Sequence, residues 1–177
     1  MTIPVIKVGI VTASDRSFRG ERKDASGPLL QSLIENDLGF EVIAYRVVPD
    51  EQELIRKAII HMADLFFCDL IFTTGGTGLS PRDVTPDVTK QLISREVPGI
   101  SEAIRAHSMK KTKMAMLSRG ISGIRGKSFV INLPGIPEAI RESFELLKDI
   151  LPHAVQLIQG KVRDCQQSHS PLQHSHS

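Results

Sequence analysis

The stretch "TTGGTGLSPRDVTP", from Thr73 to Pro86, places a glycine-rich loop directly before an arginine and an aspartate. Gly75, Gly76 and Gly78 allow a tight turn and close backbone approach to a ligand. Successive N–H groups in such a turn form a nest for an anion. Thr74, Gly75, Gly76, Thr77 and Gly78 are therefore a candidate phosphate cradle. It is not a Walker loop. Gly126-Lys127-Ser128 carries the end of that motif, but its first glycine would fall on Ile121 and the segment opens a strand, not a helix.

An anion site accommodates Arg82 but should reject Asp83. Two readings of Asp83 resolve the conflict. Locally, it caps a helix or pairs with Arg82. Chemically, it holds Mg²⁺ that arrives with a polyphosphate, since Mg²⁺ takes one or two carboxylates together with substrate phosphates. Asp50, in "VVPDE", is the matching second carboxylate, or a helix N-cap with Glu53 three residues on. Asp15, in "TASDR", is a third acidic group or a turn former. Ser14 and Ser17, from the same loop, can donate to an anion. Arg82 either binds phosphate or pairs with a neighbouring carboxylate.

The elements that position these residues follow from periodicity. Ile6 to Ser14, apolar and β-branched, predicts a buried strand running into a loop. "PLLQSLIEND" predicts a helix opened at Gly27-Pro28 and stopped by Gly39, with Leu30, Leu33, Ile34 and Leu38 on one face. "EVIAYRVV" and "DLIFTTGG" are the next strands. Between them a helix buries Ile55, Ala58, Ile59 and Met62. Further helices start at Thr85-Pro86 and at Pro98. "SFVINLPG" is another strand and loop, and "IPEAIRESFELLKDILPHAVQLIQ" is a long amphipathic ending bent at Pro152. Strands alternating with helices predict an α/β fold with a mainly parallel sheet. Ligands then sit beyond the carboxyl ends of the strands. The loops Thr12–Asp15, Pro49–Asp50, Thr74–Gly78 and Asn132–Gly135 all fall on that edge.

The 177 residues suit one domain, expected over 1–163, with Asp164–Ser177 a low-complexity polar and disordered tail. His169, His174 and His176 of that tail are read as solvated. No apolar run approaches the ~20 residues that span a membrane, and the N-terminus reads as a strand and not a signal. Cys68 and Cys165 make no disulfide framework, and Cys68 sits in apolar surroundings, as expected in a reducing cytoplasm. The net charge of +2 does not argue for nucleic acid. Between Ala103 and Pro137 there are seven cations and no acid, but almost no aromatic interleaving. That favours a small polyanionic substrate over a nucleic acid.

Taken together, "TTGGTG…RDVTP", "VVPDE" upstream and "LSRG…GIRGKSFVINLPG" downstream resemble the MogA/MoaB family of molybdenum cofactor biosynthesis, related to gephyrin-type domains of plants and animals. The resemblance runs from about Val5 to Lys161. It implies a three-layer α/β/α sandwich whose mostly parallel sheet has one antiparallel strand, and a homotrimer. It also implies a Mg²⁺-dependent molybdopterin adenylyltransferase using ATP, in contact with other enzymes of the same biosynthesis. The family's two carboxylates fall on Asp50 and Asp83, as catalytic residues and metal ligands. Its nucleotide and pterin loops fall on Gly75–Gly78, Ser118, Asn132, Pro134 and Gly135. The chain departs from the family pattern at Ile136-Pro137-Glu138, where lysine is common. The alternative is a non-catalytic, MoaB-like module that binds a pterin or a partner.

Overall fold

A computed structural model of the chain describes residues 5–162. The expectation of a disordered tail over Asp164–Ser177 lies outside the described residues. The sheet has six strands in the order β2-β1-β3-β6-β5-β4. β1 (Lys7–Ala13), β2 (Glu41–Val48), β3 (Leu70–Thr74) and β6 (Ser128–Leu133) run parallel. β5 (Ser122–Arg125) runs antiparallel to β6 and to the two-residue β4 (Arg95–Glu96). β5 is thus the one reversed strand of the sheet.

The strands' two-residue period divides the core into two layers. Val8, Ile10, Leu70, Phe72, Phe129 and Ile131 face one side. There they meet α2 (Ser26–Leu33), α5 (Pro98–Met109), α6 (Pro137–Leu147) and α7 (Leu151–Ile158). Val11, Ala13, Ile71 and Val130 face the other side, under α3 (Gln52–Ile60) and α4 (Thr85–Leu92). Phe72, Phe129 and Phe144 are each 1% exposed, so truncating any of them to alanine should cost roughly 3–5 kcal/mol.

Prolines mark the helix starts. Pro86, Pro98, Pro137 and Pro152 each occupy the first turn of a helix, where the missing N–H removes only an orphan donor. The long ending is accordingly two helices, with Pro152 opening α7 rather than bending a single one. α2 begins at Ser26, ahead of Pro28, and runs into a π-helical turn that Gly39 ends with φ of 64°. A second π turn, His61–Leu65, continues α3 and keeps Met62 buried.

At the amino-terminal edge of the sheet, Asp69 ties down both flanks of the chain. Its Oδ2 accepts the Lys7 N–H at 2.8 Å, and its other carboxylate oxygen accepts from the Gln159 side-chain amide. Neighbouring Cys68 is buried and free, and burial pushes its thiol up to about 12, which keeps it inert as expected.

Candidate active site

Four loops meet at the opposite edge, where the parallel strands end. Ser14 follows β1. Its N–H donates to Val48 O at 2.9 Å, and its hydroxyl caps the short α1 (Asp15–Phe18) by accepting the Ser17 N–H at 3.2 Å. Asp15 and Asp50 then bond reciprocally. The Asp15 N–H donates to Asp50 Oδ2 at 2.9 Å, and the Asp50 N–H donates to Asp15 Oδ1 at 3.0 Å. This pair joins the β1 loop to the β2 loop.

The glycine loop lies between them and β6. Gly75 has φ of 84°, and a Cβ there would come within 2.4 Å of Ala13 O. Gly76 has φ of 63°, and its Cβ would come within 2.4 Å of Thr85 Oγ1 and 3.2 Å of Asp50 Oδ1. Both positions demand glycine twice over, by conformation and by space. Asp83 lies against the same loop: a Cβ on Gly78 would sit 2.8 Å from its Oδ2. The two carboxylates therefore flank one backbone segment.

Neither aspartate is a helix cap. The N-cap of α3 is Glu51 and that of α4 is Val84, and neither helix end takes a side-chain cap. Asp83 instead accepts the Ser80 N–H at 3.0 Å. Nor does Asp83 pair with Arg82. That guanidinium holds Asp15, with Nη2 to Oδ1 at 2.7 Å and Nε to Oδ2 at 3.0 Å. Arg82 thus pairs with a neighbouring carboxylate, the second of its two sequence readings. Its hydrogen bond draws the Asp15 carboxyl below the usual range. Burial, helped by the charges of Asp15 and Asp83, pushes the Asp50 carboxyl up.

Ser14, Asp50, Thr74, Gly75, Gly76, Asp83 and Gly135 all line one polar cleft of about 170 Å³. Thr77, Gly78, Ser118 and Pro134 line a neighbouring, mostly apolar cavity of about 260 Å³ with Met114 and Ile136. The glycine loop separates the two. Asp15 stands at the rim with Arg82. Asn132, 3% exposed, turns its amide inward. It donates to Thr73 Oγ1 at 2.8 Å and Thr89 Oγ1 at 2.9 Å, and accepts the Ile121 N–H at 3.2 Å.

Other residues at the site are not among the sequence candidates. Arg119 staples the loop from outside. Its N–H donates to Thr77 O at 2.8 Å and its Nε to Gly78 O at 2.9 Å; its guanidinium also bonds Asp83 O and Asp87. Asp24 accepts the Ser26 N–H at 2.9 Å and the Tyr45 hydroxyl, while Ser26 Oγ donates to Gly135 O at 2.7 Å. The "DASG" turn was a usable signal for Asp24, because a short polar side chain before a helix often takes its first N–H groups. The basic stretch is not one charged face: Arg119 pairs with Asp87, Arg125 with Asp64 and Lys111 with Glu138 and Glu142.

The donors suit a hard cation with phosphate. Among the described residues no three His, Cys, Asp or Glu gather to hold a metal alone, so a cation would complete its shell with phosphate oxygens and water. The Thr85 hydroxyl, fully buried beside Gly76, has no hydrogen-bond partner among the described residues. Together with the crowded carboxylates, that orphan fits a site completed by a ligand.

The profile of a family described as a probable molybdopterin binding domain matches residues 9–153. A protein of Helicobacter pylori named molybdopterin adenylyltransferase is 43% identical over 159 residues, 88% of this chain and 89% of that protein. The molybdenum cofactor synthesis protein cinnamon of Drosophila melanogaster is 40% identical over 170 residues, which cover 96% of this chain but 28% of that protein. Among solved structures, the molybdopterin biosynthesis enzyme MoaB from Thermus thermophilus matches with a TM-score of 0.82 and 47% identity, covering 88% of this chain and 98% of that one. A MogA structure matches with a TM-score of 0.81 and 36% identity, covering 86% and 99%.

Proposed function

The chain belongs to the family of molybdopterin binding domains, and on that footing we propose that it is a molybdopterin adenylyltransferase. It transfers AMP from ATP to the terminal phosphate of molybdopterin and releases pyrophosphate. The observation that carries this reading is the polar cleft in which the glycine loop runs between Asp50 and Asp83. A site for binding an anion alone would gain nothing from two carboxylates there.

The attacking group is a phosphate monoester, whose second pKa of ~6 leaves it mostly dianionic at neutral pH. No general base is needed, and the obstacle is repulsion between two anions. The N–H groups around Gly75 and Gly76 would take phosphate oxygens at the positive-φ turn. Asp50 and Asp83 would hold Mg²⁺, which screens the phosphate charges when bound. Asp50, already partly stripped of water, gives a cation stronger attraction than an exposed carboxylate does. Ser14 and Thr74 supply further polar groups on the cleft wall. The adjoining apolar cavity suits a flat heterocycle, with Ser118 and Thr77 at its polar margin. Assembly as a homotrimer and a cytoplasmic setting belong to the same proposal.

Incubating the protein with molybdopterin, ATP and Mg²⁺ and watching for adenylylated product and pyrophosphate tests the reading. Pterin binding without pyrophosphate release would leave the non-catalytic module instead.

A further inference from the structure

From α1 into its connection to α2 the chain reads "RSFRGERK", Arg16 to Lys23, with four cations and one acid. Glu21, the acid, is held by Arg19 at 2.7 Å. The arm folds back on itself: the Glu21 N–H donates to Arg16 O at 2.9 Å and the Arg22 N–H to the same oxygen at 3.3 Å. Just beyond, Asp24 fixes the arm to the start of α2 through the Ser26 N–H, and to β2 through the Tyr45 hydroxyl. Arg22 is thereby set on the wall of the polar cleft.

Among the described residues lining that cleft, Arg22 is the only cation, facing a lining that includes Asp24, Asp50 and Asp83. It forms no ion pair among the described residues. Arg82, the other candidate, is committed to Asp15 at the rim. Asp24 already accepts two backbone N–H groups and a hydroxyl. A cleft built for polyphosphate needs positive charge where the outer phosphates lie, and a guanidinium offers paired donors for it.

We propose that Arg22 binds the outer two phosphates of the nucleotide and the pyrophosphate that leaves. This rests on the adenylyl-transfer reading. In that reaction a molybdopterin phosphate oxygen bonds to the α-phosphorus while the bond to the bridging oxygen of the β-phosphate breaks. Pyrophosphate departs with that electron pair, and Arg22 receives the charge it gains. The residue belongs to the arm rather than to the glycine loop, so it meets the leaving group from a different element than Asp50 and Asp83 do.

Calorimetric titration of the full chain with ATP, inorganic pyrophosphate and AMP, each with Mg²⁺, tests this. Arg22→Ala should weaken pyrophosphate and ATP by about 10- to 100-fold, the range of a hydrogen bond to a charged group. AMP should change by less than about 2-fold, and Arg22→Lys should restore part of the loss. Arg16→Ala, outside the cleft, should leave pyrophosphate within about 2-fold. Equal losses for ATP and AMP, an unchanged pyrophosphate affinity, or an equal effect of Arg16→Ala would each overturn the assignment. If the unaltered protein binds neither ATP nor pyrophosphate, the transferase reading falls and this inference with it. If it binds both and Arg22→Ala binds them equally well, only this inference falls.

Discussion

Asp15 and Asp50 clasp one another, each backbone N–H donating to the other's carboxylate at 2.9 and 3.0 Å. Thirty-five residues apart in sequence, they close the β1 and β2 loops into one wall. The clasp leaves Asp50 Oδ1 beside Gly76, so a fixed carboxylate oxygen is presented to whatever the glycine loop holds.

Asp83→Asn separates metal binding from structure. Asparagine can still accept the Ser80 N–H, so the melting temperature should stay within a few degrees. Turnover should fall about 100-fold or more, on the order of 3 kcal/mol in the barrier, because an amide is a poor Mg²⁺ ligand. Adding Asp50→Asn should cost far less than its separate effect, since both serve one ion. Near-normal adenylyl transfer by Asp83→Asn at saturating Mg²⁺ excludes the metal role.

Gly76→Val should lose both nucleotide affinity and stability. The new side chain would press on Thr85 Oγ1 and resist φ of 63°. A destabilisation of roughly 1–3 kcal/mol is expected in urea melts. Sequence alone suggests the binding defect as the main one; the buried Thr85 behind the loop makes it a packing defect too.

Asp50 gives a pH signature. Burial raises its carboxyl above the unfolded value, so the folded state keeps a proton that the unfolded chain has released. This contribution to stability is fully present below the unfolded pKa of ~3.9 and is lost as pH rises through the folded value. Asp50→Asn should therefore raise the melting temperature of metal-free protein at neutral pH and confer no gain in acid. A neutral-pH loss would mean that the charge strengthening the bond from the Asp15 N–H outweighs the cost of burial.

Asn132→Leu should destabilise by about 1–3 kcal/mol, because the Ile121 N–H and two threonine hydroxyls lose a buried partner. Thermal melts read the loss. Unchanged stability would release the side chain for ligand contact.

Much of this architecture was legible in the residues. β1, β3 and β6 carry their burial in apolar runs, β2 shows a half-buried edge strand through its β-branched residues, and four helices announce themselves by proline. Of the positions that line the cleft, Ser14, Asp50 and Thr74 follow from strand ends and Gly75 and Gly76 from glycine spacing, whereas Arg22, Asp24 and Ser26 do not. β4 and β5 were not legible: two and four residues, with Arg95, Glu96 and Gly123 among them, exist as strands only because β6 offers an edge. The partners of Asp50, Asp83 and Arg82 were likewise hidden. A capping residue and an inter-loop clasp have the same local sequence, and only the crossing of β1 over to β2 decides between them.

Asp69 has a consequence for how this fold can be joined to others. Holding the Lys7 backbone and the Gln159 side chain together, it makes the described chain enter and leave on the side away from the cleft. A domain tethered to either described end would start from beneath the sheet, on the side opposite the mouth where nucleotide and pterin come and go.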